Sequence, residues 1–371
     1  MKKVYILAAV AAALSVASCA TDEVVDPELT TEEAAPIGFG TFLDRVSRGS
    51  AAASPKAAVL TDAGLKAPAA GFKVLAYSTG VTDWATYVSG ASANPNFMDD
   101  QPVTWGGTSW KYAPAKYWPR KDNTTWGKVT FFALSNSNDA SADGQANNNP
   151  KIGFTVQQRA SDQVDLVAAV VTDKTGEGDG KVKFNFRHIL SKIGFTAKLD
   201  QNIDTVATTI KVKYLVLKYE ANKISAEGTY TFPSKDTIGS WSLTSSRWLY
   251  SDTPDTLFSG NDTLKKSTPI NLCATANTYL MLIPQATSPG NLSVTLVYDV
   301  ITTASTLTLA SDTTVTTLPV GMPAATWEAA KEYTYNLTVK PKQVTIDPAT
   351  EVFAWNTYSP TTNIDTIVYT Y

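Results

Sequence analysis

The sequence predicts an all-β protein, and three observations support this prediction. Thr, Val, Tyr and Trp are abundant, whereas the long Leu/Glu/Lys-rich amphipathic runs that form helices are missing. After Pro36, apolar and polar residues alternate in short runs broken by Gly, Pro, Asn and Asp, a pattern typical of strands in a sandwich or barrel. The chain has 371 residues, which at ~100–200 residues per domain predicts about two domains.

Alternation is clearest in three segments, where every second residue would share one face of a strand. These sets are Ile37, Phe39, Thr41 and Leu43; Leu292, Val294, Leu296 and Tyr298; and Tyr333, Tyr335, Leu337 and Val339. The segment from Ile210 to Tyr219 is apolar on both faces in its second half, which predicts a central strand. Residues 136–150 and 172–180 are rich in Asn, Gly and Asp, and are predicted loops.

We place a domain junction near His188, where a short turn of helix would separate a strand ending near Phe186 from one starting near Ile193. This division gives an N-terminal β-sandwich over residues 37–187 and a C-terminal β-sandwich over residues 188–371.

The first residues have the features of an export signal, with Lys2 and Lys3 followed by an apolar stretch that is too short to anchor in a bilayer. The motif V-A-S-C, which ends at Cys19, resembles the lipobox cut by lipoprotein signal peptidase. This resemblance implies that residues 1–18 are removed and that Cys19 is lipidated. The alternative is an ordinary signal peptide that contains a cysteine.

Residues 19–36 are polar and acidic without apolar periodicity, and they predict a flexible tether. The residue after Cys19 is Ala20, not the Asp that typically retains lipoproteins in an inner membrane. Asp22 and Glu23 resemble the short signal that directs lipoproteins of Bacteroidales to the outer face of the outer membrane. We therefore expect a surface-exposed protein that its lipid holds in the outer membrane.

The composition excludes several functions. A net charge of −3 excludes a strongly basic nucleic-acid binder. One histidine, His188, and two cysteines are too few for a closed zinc site, which needs about four N or S ligands. After loss of the signal and lipidation of Cys19, Cys273 is the one remaining thiol, and we expect it to be a small core residue. We predict no catalytic residues, no metal and no cofactor.

Eight sequence blocks follow one another along the chain after Pro36. They are Ile37 to Arg48, Phe72 to Tyr77, Phe97 to Pro119, Lys128 to Ser135, Val164 to Ala169, Phe186 to Phe195, Tyr279 to Gln285 and Tyr333 to Val339. In their order, and together with the lipobox, they resemble the fimbrillin family, the lipoprotein-precursor pilins of Bacteroidales. The resemblance implies two consecutive transthyretin-like or Ig-like β-sandwiches, and a structural and adhesive subunit of a fimbria that has no enzymatic activity.

In that family, a trypsin-like, Arg-specific protease cuts after an arginine that follows the first strand. The counterpart here is Arg48, with Arg45 as a second candidate, and the first strand is residues 37–48. Its loss would leave unpaired backbone groups and uncovered apolar side chains that a neighbouring subunit can fill. The alternative is that Arg48 is a solvated linker residue that no protease cuts.

The C-terminal segment, residues 363–371, has the alternation expected of the strand that fills such a groove. Its two faces are Ile364, Thr366, Val368 and Thr370 on one side, and Asp365, Ile367, Tyr369 and Tyr371 on the other. Donation of this strand to the next copy, or to another pilin, would join subunits head to tail. The alternative is that it folds back into its own second domain.

A second function stays open, a surface glycan-binding lipoprotein that keeps its lipid at Cys19 and exposes aromatic rings to sugars. The candidate rings are Trp105, Trp110, Tyr112, Tyr117, Trp118 and Trp126, for which packing between sheet and loops is the simpler interpretation. Asp173, Glu177 and Asp179 are a weak calcium candidate, because they do not fit the D-x-[DN]-x-[DN]-G template. Within the pilus interpretation, the cut site and the strand-like tail favour a stalk subunit over an anchor or a tip.

Overall fold

The structure of the protein is a computed structural model. It describes residues 36–43, 59–90, 94–122, 124–144, 149–250, 255–273, 278–304, 307–317, 319–349 and 351–354. These residues form 22 strands, one 3-10 turn (Ala160–Asp162) and two short helices, α1 (Asp62–Leu65) and α2 (Trp84–Gly90). In the described part, no helix is long and apolar enough to cross a membrane. The all-β prediction is confirmed.

Most strands are short and follow one another closely along the chain. β1 to β9 are Gly38–Leu43, Phe72–Gly80, Met98–Trp105, Trp110–Lys111, Lys128–Ser135, Ala140–Asp143, Lys151–Thr155, Val167–Lys174 and Lys181–His188. β10 to β16 are Ser191–Leu199, Thr208–Tyr219, Ser225–Thr231, Ser240–Trp248, Asp255–Thr263, Ile270–Asn271 and Leu280–Leu282. β17 to β22 are Leu292–Ala304, Leu307–Thr316, Val320–Gly321, Lys331–Lys340, Gln343–Ile346 and Glu351–Ala354.

Two sequence predictions about local structure are wrong. No turn of helix separates β9 from β10, because β9 ends at His188 and β10 begins at Ser191. The predicted loop 136–150 contains β6, which pairs antiparallel with β7. The Asn and Asp residues before β6 mark the turn that precedes this short edge strand.

The N-terminal half is built on a seven-stranded sheet with the order β1-β9-β8-β5-β2-β3-β4. β1 joins this sheet by parallel pairing with β9, whereas the other neighbours pair antiparallel. Alternate residues of its central strands enter two different cores. Phe72 and Val74 of β2 face an inner N-terminal core, and Leu75 and Tyr77 face the main core of the protein. β2 is therefore buried on both faces.

Two sheets form the C-terminal half. One has the order β15-β10-β20-β21, with β16 also on β10 and β22 also on β20, and the other has the order β14-β11-β17-β18, with β19 also on β17. The alternating sets predicted in β17 and β20 are buried, as expected for core-facing residues. Those predictions of strand and face are confirmed.

A fourth sheet combines strands from both sides of His188. Its order is β13-β12-β7-β6, and β7 pairs antiparallel with β12 between Lys151–Thr155 and Glu227–Thr231. The Phe232 ring, directly after β12, contacts the Phe132 ring of the seven-stranded sheet at a centroid distance of 5.2 Å. The main core therefore contains residues of both halves. The division into domains at residue 188 stays a prediction.

β11 is a central strand, paired with β14 on one side and β17 on the other, as the sequence predicts. The second half of β11 was expected to be apolar because both of its faces are buried. The structure shows a different reason for this run of apolar residues. The register shifts between Val212 and Tyr214 on both neighbours, so a β-bulge at Lys213 changes which residues face the core. Val212 and Leu215 are both buried, whereas Tyr214 is 44% exposed.

Candidate assembly groove

β1 is an edge strand, and its loss is predicted to open a groove for assembly. Phe39 and Leu43 of β1, and Ile37 directly before it, are buried in the inner N-terminal core, which confirms the predicted face. The parallel register with β9 places Gly38 opposite Lys181 and Leu43 opposite Phe186. Glycines at positions 38 and 40 lie on the opposite face, where Lys181 and Lys183 side chains of β9 lie close to them.

Phe39 is the centre of an aromatic cluster. Its ring stacks on Phe184 of β9 at 5.5 Å between centroids, and it contacts Tyr112 at 5.2 Å. Phe72 and Phe131, from the central strands β2 and β5, meet it edge to face. Aromatic pairs of this kind add about 0.5–1.5 kcal/mol to the stabilisation from buried area. Phe39 is thus the main apolar anchor of β1.

The start of β1 is also held on the side away from β9. The Ile37 N–H donates to the Lys116 carbonyl at 2.8 Å, and the Tyr112 hydroxyl donates to the Ile37 carbonyl at 2.8 Å. Burial raises the pKa of Tyr112, so this hydroxyl stays protonated and able to donate at neutral pH. Pro36 forms an isolated antiparallel bridge with Tyr117. β1 therefore begins between β9 and the segment 112–117 that follows β4.

A polar contact lies among these apolar ones. The Trp110 indole Nε1–H donates to Thr41 Oγ1 at 3.2 Å, and Thr41 Oγ1 lies 3.4 Å from Asp62 Oδ1 at the start of α1. We use the term β1 groove for the surface that β1 covers, formed by β9, by Phe72 and Phe131 beneath, by Trp110 and Tyr112, and by Asp62.

The predicted site residues Cys19, Arg45 and Arg48 lie outside the described residues, as does the predicted donor strand 363–371. Described residues lie on both sides of the two arginines. β1 ends at Leu43, and the chain is described again from Val59. There the Leu60 N–H donates to Asp165 Oδ2 at 2.7 Å, next to β8. The cleavage site, the lipidation and the donor strand stay predictions.

The four tryptophans of the candidate sugar-binding group are buried or partly buried and do not form an exposed row. Trp110 and Trp118 are buried, and Trp105 and Trp126 are partly buried. The Trp118 indole N–H donates to the Gly180 carbonyl at 3.1 Å. Tyr117 is the ring of this group that is half exposed. The prediction that these rings pack between sheet and loops is confirmed, and the described chain gives the glycan-binding alternative no aromatic platform.

Two of the three calcium candidates, Asp173 and Asp179, have protein partners. Asp173 Oδ1 accepts the Trp84 N–H at 2.7 Å. Asp179 accepts the Lys181 N–H at 3.1 Å and lies 3.2 Å from the Lys183 ammonium, and these contacts lower its pKa, the backbone hydrogen bond most strongly. Among the described residues, no three His, Cys, Asp or Glu side chains are grouped so that they could hold a metal ion.

His188 and Cys273 are both fully buried. His188 Nδ1 lies 2.8 Å from Asp165 Oδ2, the same oxygen that accepts the Leu60 N–H, so this pair ties the end of β9 to the chain that follows the predicted cleavage site. Desolvation raises the pKa of Cys273 to about 12, so its thiol is protonated and inert at neutral pH. The prediction that Cys273 is a core residue is confirmed.

Sequence reasoning missed the residues that form the groove opposite β9. Tyr112 and Lys116 belong to a block that stands out for its aromatic residues, but nothing in the alternation of β1 says which distant segment its backbone contacts. No sequence pattern indicated that Asp62 lies near β1, because Asp62 belongs to a short helix that the alternating strand pattern does not predict.

The chain belongs to the fimbrillin-like family, whose model matches residues 70–355. A curated relative, fimbrium subunit Fim1C of Phocaeicola vulgatus, is 28% identical over 93% of this chain and 95% of its own length. The crystal structure of a fimbrial protein from Bacteroides vulgatus is 25% identical and superposes with a TM-score of 0.68 over 86% of this chain and 99% of that chain. The family expected from the sequence blocks is confirmed.

Proposed function

We propose that the protein is a stalk subunit of a cell-surface fimbria, exported as a lipoprotein and polymerised by protease-triggered strand exchange. The observation that supports this most directly is β1. It is an edge strand, it is the first strand of the described chain, and its apolar side chains belong to the same buried core as those of β2, β5 and β9.

Export begins with removal of residues 1–18 and lipidation of Cys19, which anchors the precursor in the outer membrane. A trypsin-like, Arg-specific protease then cuts after Arg48, or after Arg45. The cut separates β1 and the lipid together from the rest of the chain, because both lie on its N-terminal side. The remaining chain is free to leave the membrane and to join a polymer.

Loss of β1 opens the β1 groove. The edge of β9 loses its backbone partner over six residues, and the inner N-terminal core loses the side chains of Phe39, Leu43 and the preceding Ile37. An unpaired strand edge with uncovered apolar pockets is a strong acceptor for another strand. Covering this exposed surface with a strand of another subunit is what favours assembly of the processed subunit.

The donor is the tail of a second copy, residues 363–371, or that of another pilin. In the described chain, β22 ends at Ala354 on the edge of β20, and the tail follows it. If about four tail side chains are buried at ~1.5–3 kcal/mol each, insertion contributes roughly 6–12 kcal/mol before entropy is subtracted. Because groove and tail lie on different parts of one chain, the contact is head to tail and need not close on itself, so repeated contacts of this kind extend a filament.

The test is the state of the protein recovered from native cell surfaces. We expect an N-terminus at Gly49 and high-mass ladders that resist SDS. Replacement of both Arg45 and Arg48 by Ala should leave the lipidated precursor uncut and monomeric, and Arg247→Ala, an exposed arginine of β13, is the matched control. Deletion of residues 363–371 should allow the cut but abolish ladders. Ladders that persist without the tail would contradict the tail as donor, and a native start at lipidated Cys19 would contradict processing.

A further inference from the structure

A single hydroxyl interrupts the apolar face that β1 places in the β1 groove. Thr41 Oγ1 accepts the Trp110 Nε1–H and donates to Asp62 Oδ1. Among the described residues, Thr41 Oγ1 is the acceptor of the Trp110 indole N–H, and Trp110 is buried. When β1 leaves, the indole N–H loses its acceptor. A buried donor without an acceptor costs about 1–3 kcal/mol, so any strand that replaces β1 either satisfies it or binds more weakly.

The groove side of this contact is fixed by residues that stay after β1 has gone. The Trp110 ring packs edge to face on Phe72 at 4.8 Å and on Trp105 at 5.2 Å. Asp62 is held at the start of α1, and its Oδ2 accepts from the Lys66 ammonium at 2.7 Å. A donor and an acceptor are therefore held in place on either side of one small position in the groove.

We infer that Trp110 and Asp62 select the strand that fills the β1 groove by recognising a serine or threonine hydroxyl between two apolar side chains. A hydroxyl both accepts and donates, so it satisfies the indole N–H and the carboxylate together. Valine has the shape of threonine, but its side chain can neither accept nor donate a hydrogen bond. This inference rests on the proposed strand exchange, and it names the feature that the incoming strand must carry.

The required pattern is present in the tail of a second copy of this chain. In β1 the alternate residues Phe39, Thr41 and Leu43 are apolar, hydroxyl and apolar. In the tail, Ile364, Thr366 and Val368 have the same order in both directions, so Thr366 meets Trp110 whether the tail enters parallel or antiparallel to β9. The other face places Ile367 between Asp365 and Tyr369 and offers no small hydroxyl at its centre.

The first experiment measures recognition within the uncleaved full chain, without any assembly. Thr41→Val should raise the equilibrium constant for unfolding about tenfold, which is ~1.4 kcal/mol, whereas Thr41→Ser should change it little. In a Trp110→Phe background the difference between Val and Ser should shrink severalfold. Urea unfolding of the Val and Ser variants in both backgrounds measures this coupling. Equal stability of the Val and Ser variants would overturn recognition of the hydroxyl.

The second experiment measures recognition of the incoming strand. Synthetic peptides of residues 360–371 compete with ladder formation by the Arg-processed full chain. Thr366→Val should require about tenfold more peptide for half-inhibition than the native sequence, whereas Thr366→Ser and the matched control Thr370→Val should not. Equal inhibition by the Thr366→Val peptide would overturn Thr366 as the recognised residue. Absence of ladders without any peptide would contradict strand exchange itself, while the urea result would still decide whether the groove recognises a hydroxyl.

Discussion

At the scale of single residues, β1 separates into two faces with different roles. Phe39 touches four aromatic rings in the inner N-terminal core, whereas Phe42 is 37% exposed on the other face. The same residue type thus occurs in both environments on one strand. This arrangement allows the contribution of burial to be measured without changing strand propensity.

We expect Phe39→Ala to destabilise the uncleaved chain by about 3–5 kcal/mol, because it removes a buried ring and leaves a cavity among four others. Phe42→Ala, the matched control, should cost less than about 1 kcal/mol, because the residue is 37% exposed and substitutions at the surface change stability little. Urea unfolding of both variants gives the difference. Equal losses in the two variants would contradict the assignment of Phe39 as the anchor of β1.

At the scale of elements, the bulge in β11 is held by an ion pair with the next strand. Lys213, the extra residue of the bulge, places its ammonium 2.9 Å from Asp299 Oδ2 of β17, and Thr314 of β18 donates to Asp299 Oδ1 at 2.8 Å. The Lys213 contact and the Thr314 hydrogen bond lower the pKa of Asp299. One carboxylate therefore connects three neighbouring strands.

We expect Asp299→Asn to lower the free energy of unfolding by about 1 kcal/mol at neutral pH, since the Lys213 end of the pair is partly exposed to solvent. The carboxylate has a lower pKa folded than unfolded, so its contribution is present above the usual aspartate value of about 3.9 and is lost as the pH falls through the lowered pKa. Urea titrations from neutral to acidic pH should show the two chains converging at low pH. A difference that stays constant would show that charge is not its cause.

The same element shows how far the sequence predicts the fold. The strand from Ile210 to Tyr219 and its central position were predictable, because a run of hydrophobic residues indicates a buried strand. The bulge was not predictable from the sequence. A prediction from alternating apolar and polar residues assumes an unbroken period of two, and one extra residue reverses which side chains face the core. For β1, alternation predicted the buried face. The parallel partner β9 and the contacts with Tyr112 and Lys116 depend on tertiary pairing between distant segments, which a local pattern does not encode.

At the scale of the whole molecule, the sheet β13-β12-β7-β6 connects the two halves of the chain. β6 and β7 come from one side of His188, and β12 and β13 come from the other. Separation of the halves would break the pairing of β7 with β12 and would expose the contact between Phe132 and Phe232. A shared sheet with a shared core resembles the interior of one domain more than a contact between two domains.

We therefore expect residues on both sides of His188 to unfold in a single cooperative transition. Calorimetry of the uncleaved chain should give one peak whose calorimetric and van't Hoff enthalpies agree. Phe232→Ala removes a ring from the junction and should broaden or split this peak. Phe195→Ala is the matched control, because Phe195 is also buried but contacts Tyr335 within the C-terminal half. It should lower the midpoint while keeping one transition. Two separate peaks in the native chain would show that the halves are thermodynamically independent despite the strands they share.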